Sequence, residues 1–453
     1  MDNDPHAMTD SNDYPASPSG EALDAYWMPF TANRQYKRDP RMIVAAEGVH
    51  YIDDKGRRIL DCVSGLWCTG AGHNRPEIRE AISAQLGTLD YAPAFQFGHP
   101  LAFELANRIK GLLPAGLDHV FFANSGSEAV ESALKIARAY WRQKGQPGKT
   151  RLIGRVRGYH GVNYGGISVG GIAPNRRLFG QGIEADHLPH TVLPENAFVR
   201  GMPEYGAHLA DELLNLIALH DASTIAAVIV EPMAGSAGVL PPPVGYLQRL
   251  REICTEHNIL LIFDEVISGL GRCGGLCAAD TFEVSPDIAT FAKQLTNGAF
   301  PLGAAVCSAQ VHDAIVHVDL PEYAVELPHG YTYSGHPVAC AAGLAALDVL
   351  ESEALCDRVT SLAPFFEDCL HGLRDVPHLL DIRNIGFTGG LQLDPYPGEP
   401  GRRSFELGLA MWEKGFYVRA GIDTVQLGPA FVMEKEQLES MVSALGDCLA
   451  QMD

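Results

Sequence analysis

Two polar side chains, Asp264 and Lys293, stand at the ends of apolar runs, where one bound ligand could contact both. Asp264 ends the apolar part of 258–266, so its carboxylate is expected to be half buried and to need a cationic partner. That partner could be a protonated pyridine nitrogen or a nearby Arg or Lys. Lys293 follows the run 286–292, and a lysine desolvated at a strand end can form a Schiff base with a carbonyl group. The alternative for Lys293 is a solvated surface group.

The segment Asn124–Glu128 joins a strand-like run to a helical pattern over 127–144. A Ser/Gly turn between a strand and a helix N-terminus brings unpaired N–H groups and the positive end of the helix dipole to one point. Such a turn favours an anion such as phosphate. The alternative is an ordinary helix cap, in which Ser125 or Ser127 is the N-cap and Glu131 completes a capping box.

A third segment, Gly158–Gly161, places Tyr159 and His160 between glycines after the strand-like run 151–156. An aromatic ring there could stack on a flat ligand or pack within its own loop. The order of the segments is more informative than any one of them. A phosphate turn is followed by a stacking aromatic, a carboxylate and then a lysine 29 residues after that carboxylate. Successive strand ends of one sheet would bring all four to one ligand.

The elements that must position these residues are strands alternating with helices. The runs 119–124, 224–231 and 258–266 are short, apolar and rich in β-branched or aromatic residues, which predicts parallel strands covered on both faces. Between them, 127–144 and 246–257 carry apolar residues at spacings of three and four, as amphipathic helices do. We therefore expect an α/β fold with a doubly wound, mostly parallel sheet that binds ligands at the carboxyl ends of its strands.

The two ends of the chain show a different pattern. Residues 43–61 predict strands joined by an Asp-Lys-Gly turn, and 336–453 alternate helices with short strand-like stretches. We expect a small α+β domain built from both chain ends, 25–75 and 336–453, around a large domain over 76–335. Residues 1–24 are acidic and rich in Ser, Pro and Asp, and we expect them to form a disordered leader.

Composition excludes several classes of partner. With 34 Lys and Arg against 55 Asp and Glu, the formal net charge is -21, which argues against nucleic acid. No window approaches the ~18 apolar residues that indicate a membrane span. The ten cysteines have no paired framework, which indicates reduced thiols and a cytoplasmic protein. We expect no metal site, since His187 and His190 are an isolated pair in a Pro-containing loop.

With these residues assembled, the chain resembles the class III aminotransferases of the pyridoxal 5′-phosphate (PLP) fold type I superfamily. It is most similar to their β-alanine–pyruvate, or ω-amino acid–pyruvate, subgroup, from about Trp27 to the C-terminus. The tracts that carry the resemblance are WMPFTANRQ (27–35), SGLWCTGAGH (64–73), LDYAPAFQFGHPLAFELA (89–106), RGYHGVN (157–163), HDASTIAAVIVEPMAGSAGVL (220–240), LIFDEVISGLGR (261–272), AKQLTNGAFPLGA (292–304), HGYTYSGHPVACAAGLAALD (329–348) and GFYVRAGIDTVQLGP (415–429). The resemblance implies PLP as cofactor, with a large domain around a mostly parallel sheet covered by helices and a smaller α+β domain.

The resemblance also implies a role for each site residue. Lys293 would form the Schiff base and move a proton, and Asp264 would pair with the pyridinium nitrogen. Tyr159 and Val266 would cover the two faces of the ring. Phosphate contacts would come from Ser125, Gly126, Ser127 and, in the other subunit's site, Thr332, and the substrate would be bound by Phe30, Trp67, Tyr159 and Arg419. Glu231 lies at a family-typical position without an assigned role.

The implied reaction moves the amino group of an ω-amino acid such as β-alanine to pyruvate, giving a semialdehyde and L-alanine. The carboxylates of β-alanine and alanine lie at different distances from nitrogen, so a long arginine that can swing, here Arg419, suits the site. Ile422 stands where the subgroup commonly has Gly, which would stiffen the loop after Arg419. The implied active unit is a homodimer with shared active sites, and a tetramer is a further option.

Three alternatives remain at this point. The first keeps the chemistry but uses taurine, a diamine or an aryl amine as donor. The second is a PLP-dependent aminomutase of the same fold, which returns the amino group to the same molecule and needs no external keto acid. The third is a non-catalytic cofactor-binding protein, against which the presence of both Lys293 and Asp264 argues.

Overall fold

The computed structural model describes residues 17–453 of the chain. Residues 1–16, most of the predicted leader, lie outside the described residues, and the rest of that leader contains a 3-10 turn at Gly20–Leu23. The described strands are β1 Ile43–Glu47, β2 His50–Asp53, β3 Arg58–Asp61, β4 His119–Ala123, β5 Arg151–Arg155, β6 Ala185–Leu188, β7 Ile225–Val230, β8 Leu260–Asp264, β9 Ile288–Phe291, β10 Gly303–Cys307, β11 Leu379–Ile385, β12 Thr388–Leu393, β13 Phe416–Tyr417, β14 Arg419–Ala420 and β15 Thr424–Leu427.

Helices lie between many of these strands. They are α1 Asn33–Tyr36, α2 Ser64–Trp67, α3 Pro76–Thr88, α4 Pro100–Leu112, α5 Gly126–Gln143, α6 Tyr164–Val169, α7 Ala173–Phe179, α8 Glu212–His220, α9 Tyr246–Glu256, α10 Ala278–Thr281, α11 Ala309–Val316, α12 Pro337–Ser352, α13 Leu355–His371, α14 Arg402–Glu413 and α15 Lys435–Ala450. Further 3-10 turns lie at Pro194–Asn196, Ala207–Asp211, Ala222–Thr224 and Lys293–Thr296. In the part of the chain that the structure covers, no helix is both long and apolar enough to cross a bilayer.

The central sheet has seven strands in the order β4-β10-β9-β8-β7-β5-β6. Five neighbouring strands, from β9 to β6, are parallel. Successive residues of β8 point to opposite faces: Leu260 and Ile262 pack with residues of α5, whereas Leu261 and Phe263 pack with residues of α9. Because helices cover both faces, the strand is apolar throughout, and its first polar residue is the one that emerges at the carboxyl edge.

The sequence predicts that β4 pairs in parallel with its neighbour, and this prediction is wrong. It lies at the edge of the sheet, and its neighbour β10 runs antiparallel to both β4 and β9. As an edge strand it is only partly covered, and four of its five residues are partly exposed. An apolar run alone does not distinguish an edge strand from a central one. The prediction of a mostly parallel sheet is confirmed.

Both ends of the chain contribute to one small sheet, with strand order β1-β2-β3-β13. The Asp-Lys-Gly turn joins β2 to β3 as expected, and a second hairpin joins β1 to β2. The strand β13, from the C-terminal part, pairs in parallel with β3. A third sheet, β11-β12-β15-β14, is formed by C-terminal residues alone. This pairing supports a small domain built from both ends, although the boundaries at 25, 76 and 336 stay predictions.

Candidate active site

The turn before α5 caps its own helix. Ser125 is the N-cap, and its Oγ accepts the backbone N–H of Glu128 at 3.2 Å. The capping box expected with Glu131 is wrong, because that carboxylate accepts the N–H of Gly165 at 3.1 Å instead. Glu131 lies too far along the helix to reach back to its own N-terminus, since a capping box places the acid three residues after the cap.

The cap leaves the first N–H groups of α5 available to a ligand. Across residues 17–453, neither the N–H of Gly126 nor that of Ser127 donates to a protein acceptor, and both residues line the same cavity. A Cβ on Gly126 would lie 2.9 Å from Cγ1 of Val266, so a side chain here would crowd that residue. Unpaired N–H groups at the positive end of an 18-residue helix form an anion-binding site.

Asp264 ends β8 at the carboxyl edge of the sheet, where it is 5% exposed. Its Oδ2 lies 2.8 Å from Nδ1 of His160, and its Oδ1 accepts the hydroxyl of Thr290 at 3.1 Å and the N–H of Val266 at 3.2 Å. Of the two partners left open, a nearby Arg or Lys is absent from the described residues, and His160 lies beside the carboxylate instead. The carboxylate is thus buried, held by three donors and not neutralised by a permanently charged side chain.

Lys293 follows β9, two strand positions from the edge strand and next to the strand of Asp264. Its backbone has φ of 49°, a left-handed conformation that is uncommon outside glycine and is often found at functional sites. The side chain opens into a cavity of about 310 Å³. The predicted residues that line this cavity are Ser125, Gly126, Ser127, Tyr159, Asp264, Val266 and Lys293.

Tyr159 stands at the side of the cavity, in the irregular segment after β5. Its N–H donates to Oε1 of Glu231 at 2.9 Å. Burial raises the pKa of the Tyr159 hydroxyl, and the nearby Arg419 guanidinium opposes that rise. Burial also raises the pKa of Glu231, to about 7, because the carboxyl group is almost fully enclosed.

Arg419 begins β14 near Tyr159, although it is not among the residues that line the cavity. Its Nε is buried without a hydrogen-bond acceptor, and no ion pair forms between Arg419 and a carboxylate in the described chain. Within residues 17–453, Arg419 is therefore not part of a surface salt bridge. A buried guanidinium nitrogen without an acceptor is available to a carboxylate ligand.

The other predicted substrate and phosphate residues lie outside this cavity. Trp67 is 3% exposed and packs with Ile267, which does line the cavity, so Trp67 forms the layer behind the wall. Phe30 is 78% exposed, and Thr332 is also exposed. Within one chain, therefore, the structure does not bring Phe30 or Thr332 to the other site residues.

Sequence reasoning missed the residues that hold Asp264. His160 lies in the segment Gly158–Gly161, but only its neighbour Tyr159 was given a role, and Thr290 was not considered. The rule that a buried carboxylate needs a donor could have identified His160 as a candidate. Thr290 could be found only from strand register, since it lies directly beside Asp264 in the β8–β9 pair.

The cavity fits the cofactor that the resemblance implies. The free N–H groups at the start of α5 suit a phosphate group, and the buried carboxylate of Asp264 suits a protonated ring nitrogen. The primary amine of Lys293 is the group that binds an aldehyde covalently. Phosphate binders, carboxylate, amine and aromatic ring all line one cavity.

Comparisons with known proteins agree with this geometry. The family model of class III aminotransferases matches residues 31–449. The chain is 59% identical over 428 residues to a β-alanine–pyruvate aminotransferase of Pseudomonas aeruginosa, covering 94% of this chain and 96% of that protein. It is 58% identical to an ω-amino acid–pyruvate aminotransferase of Pseudomonas putida, covering 95% and 96%.

A solved structure shows the same fold. An amine transaminase from an uncultivated Pseudomonas species, determined in its PLP-bound form, superposes with a TM-score of 0.87 at 36% identity. The match covers 94% of this chain and 98% of that one. The chain belongs to the class III aminotransferases, PLP-dependent enzymes of fold type I.

Proposed function

We propose that this enzyme transfers the amino group of an ω-amino acid, β-alanine or a similar terminal amine, to pyruvate, giving a semialdehyde and L-alanine. The observation that carries the proposal is Arg419, a partly buried guanidinium beside Tyr159 that pairs with no carboxylate of residues 17–453. Both the donor and the acceptor of this reaction bring a carboxylate. The two relatives at 58% and 59% identity are named for the same pair of substrates.

Several residues of the cavity have a task in this reaction. When bound, PLP supplies the delocalisation that stabilises negative charge on the substrate carbon that carries nitrogen. Asp264 would accept a hydrogen bond from the protonated ring nitrogen, and the N–H groups of Gly126 and Ser127 would bind the phosphate. Lys293 would hold the cofactor aldehyde through Nζ, and its amine, when free, would take and return a proton at the substrate carbon.

The remaining side chains orient the substrate and the ring. Tyr159 and Val266 both line the cavity, where they would hold the cofactor ring and exclude water from the reacting carbon. Arg419 binds the carboxylate through its planar fork, whose reach accommodates carboxylates at different distances from nitrogen. Trp67 shapes the apolar wall through its contact with Ile267.

We propose further that the active unit is a homodimer in which each chain completes the other's site, with a tetramer as a further possibility. Phe30 and Thr332 support this, because both are exposed and lie away from the cavity of their own chain. Large exposed aromatics are most readily explained by a partner that covers them, and they include Trp27, Phe30, Phe97 and Tyr333. In that assembly Thr332 contacts the phosphate bound by the partner, and Phe30 borders the partner's substrate pocket.

The cytoplasm is the proposed location. All ten cysteines are free in the structure, and most are buried, as expected where thiols stay reduced. The net charge of -21 supports the absence of a nucleic-acid partner.

The test is a product assay with purified holoenzyme. β-Alanine and pyruvate are supplied together, and L-alanine is measured by chromatography, with taurine and a diamine as comparison donors. We expect alanine formation with β-alanine, its loss in Lys293→Ala, and wild-type activity in the exposed control Lys144→Ala. Substantial turnover by Lys293→Ala would overturn the role of that lysine. Turnover with taurine or the diamine but not β-alanine would overturn the donor.

A further inference from the structure

Glu231 is a buried acid in the cavity wall that the reaction above does not use. It directly follows β7, and because Val230 pairs with Phe263, Glu231 lies next to Asp264 at the carboxyl edge of the sheet. It is 4% exposed and lines the cavity. A carboxylate in such a place is costly unless it has partners, so its contacts indicate its purpose.

Both ends of Glu231 bind the segment that carries Tyr159. Its Oε1 accepts the N–H of Tyr159 at 2.9 Å, and its carbonyl oxygen accepts Nη2 of Arg155 at 2.8 Å. Arg155 is the last residue of β5 and is itself buried. The main chain of Glu231 thus binds Arg155 at the end of β5, and its side chain binds Tyr159, four residues later in the sequence.

The segment after β5 has little regular structure of its own. Arg157 and Gly161 both have positive φ, and no strand or helix includes Tyr159. In the described chain, the only acceptor for the Tyr159 N–H is the carboxylate of Glu231. The neighbours Gly158 and His160 are held by other hydrogen bonds, whereas the Tyr159 N–H is held by the Glu231 carboxylate.

We propose that Glu231 is a positioning residue that holds the Tyr159 main chain, and through it the ring that stacks on the cofactor. The inference rests on the proposed function, since it takes Tyr159 as the stacking residue. Glu231 itself transfers no proton in the reaction. Its carboxylate acts as an acceptor, and its effect on activity passes through the Tyr159 ring.

Burial and four neighbouring groups set the pKa of the Glu231 carboxyl group. Its pKa of about 7 is raised by burial and by Asp264, and lowered by His160, Arg155 and the Tyr159 N–H. The carboxyl group therefore changes charge near neutral pH, and an ionised acceptor binds an N–H more strongly than a neutral one. Tyr159 is consequently held more firmly above pH 7 than below it.

The first test compares Glu231→Ala with Glu231→Gln in the holoenzyme. The glutamine keeps an acceptor oxygen at the same place, whereas the alanine leaves the partly buried N–H without one. We expect Glu231→Ala to weaken PLP binding about tenfold, the size expected for one lost acceptor. It should also change the visible circular dichroism of the bound cofactor. Glu231→Gln should restore most of both, and the exposed control Glu204→Ala should match wild type.

The second test is a double-mutant cycle with Tyr159→Ala, which removes the ring but keeps the N–H. If Glu231 acts through the ring, Glu231→Ala should have almost no further effect on PLP affinity in the Tyr159→Ala background. Additive effects in the cycle, or a Glu231→Ala holoenzyme with wild-type PLP affinity and dichroism, would overturn the proposal.

Both tests measure the cofactor and not turnover, so they separate this inference from the proposed function. If wild type binds PLP but does not aminate pyruvate from β-alanine, the function fails while the role of Glu231 can still hold. A Glu231→Gln variant as impaired as Glu231→Ala would mean that charge, rather than the hydrogen bond, is required, which also contradicts the proposal. The pH dependence of PLP affinity should show an ionisation near 7 in wild type that Glu231→Gln lacks.

Discussion

Asp264 receives hydrogen bonds from His160, Thr290 and Val266, and these leave its carboxylate one open side, toward the cavity. The sequence identified Asp264, because an acid at the end of an apolar strand is conspicuous. It did not identify the two side-chain donors, since His160 lies 104 residues before Asp264 and Thr290 lies 26 residues after it. Residue types at strand ends can be predicted, whereas side-chain partners depend on register and packing.

Replacing Asp264 by Asn should cost most of the activity. The amide keeps the size of the side chain but cannot balance a positive ring nitrogen, so the ring would lose its proton and withdraw fewer electrons. We expect kcat/KM for β-alanine to fall by about 10²–10³, the scale seen when one oriented electrostatic partner is removed. Steady-state kinetics decide, with the exposed Asp375→Asn as control. A loss of less than fivefold would contradict this role.

Arg419→Ala should separate substrates by charge. Without the guanidinium, substrates that carry a carboxylate lose a charge-assisted hydrogen bond pair, whereas an amine without a carboxylate loses nothing there. We expect kcat/KM for β-alanine and pyruvate to fall about 10- to 100-fold, and that for a carboxylate-free amine to change much less. The exposed Arg177→Ala is the control. Equal losses for all substrates would mean that Arg419 only stabilises the fold.

At the scale of elements, the carboxyl edge of the sheet gathers the site from β4, β5, β7, β8 and β9. The strands and helices of the central sheet were largely predictable, because apolar runs and spacings of three and four report burial directly. The antiparallel pairing of β10 with β4 was not, since no local pattern encodes strand direction. Phe30 and Trp67 were predicted from the resemblance alone, and their roles stay predictions.

The connection after β8 contains a buried acid, Glu265, that should make stability depend on pH. Glu265 accepts the N–H groups of Ala278 and Ala279 at the start of α10, and burial raises its pKa from 4.5 to about 8. The folded state therefore favours the protonated acid. The stabilisation of the folded state by protonated Glu265 is complete below about pH 4.5 and is lost as the pH rises through 8.

Glu265→Gln should remove this pH dependence. The wild type should lose on the order of a few kcal/mol of unfolding free energy relative to the variant between pH 5.5 and pH 8.5. Urea unfolding of both holoenzymes at the two pH values measures the difference, and the exposed Glu256→Gln should follow wild type. A difference between wild type and Glu265→Gln that is the same at both pH values would refute the effect.

At the scale of the whole molecule, the proposal that two chains share each site can be tested through Thr332. This residue is exposed and does not line the cavity of its own chain. Thr332→Asp places a negative charge beside a phosphate, and Lys293→Ala removes the amine, so each variant alone should be nearly inactive. When the two are mixed under conditions that exchange subunits, one site of each mixed dimer has both residues intact. We expect up to about a quarter of wild-type activity to return, because half of the dimers are mixed and half of their sites are complete.

If Thr332 served its own chain, no mixed dimer would contain a complete site and no activity would return. Light scattering of the mixture provides the control that dimers form. Activity that stays at the level of the separate variants, with dimers present, would contradict the sharing of sites.

The central claim, amino transfer from β-alanine to pyruvate on a cofactor held by Lys293, is tested most directly by the visible absorption spectrum of the holoenzyme. β-Alanine is added first, without any keto acid, and pyruvate is added second. The account predicts a yellow band that fades with β-alanine and returns with pyruvate, because each substrate performs one half of the exchange. A yellow band that does not change with β-alanine would contradict it.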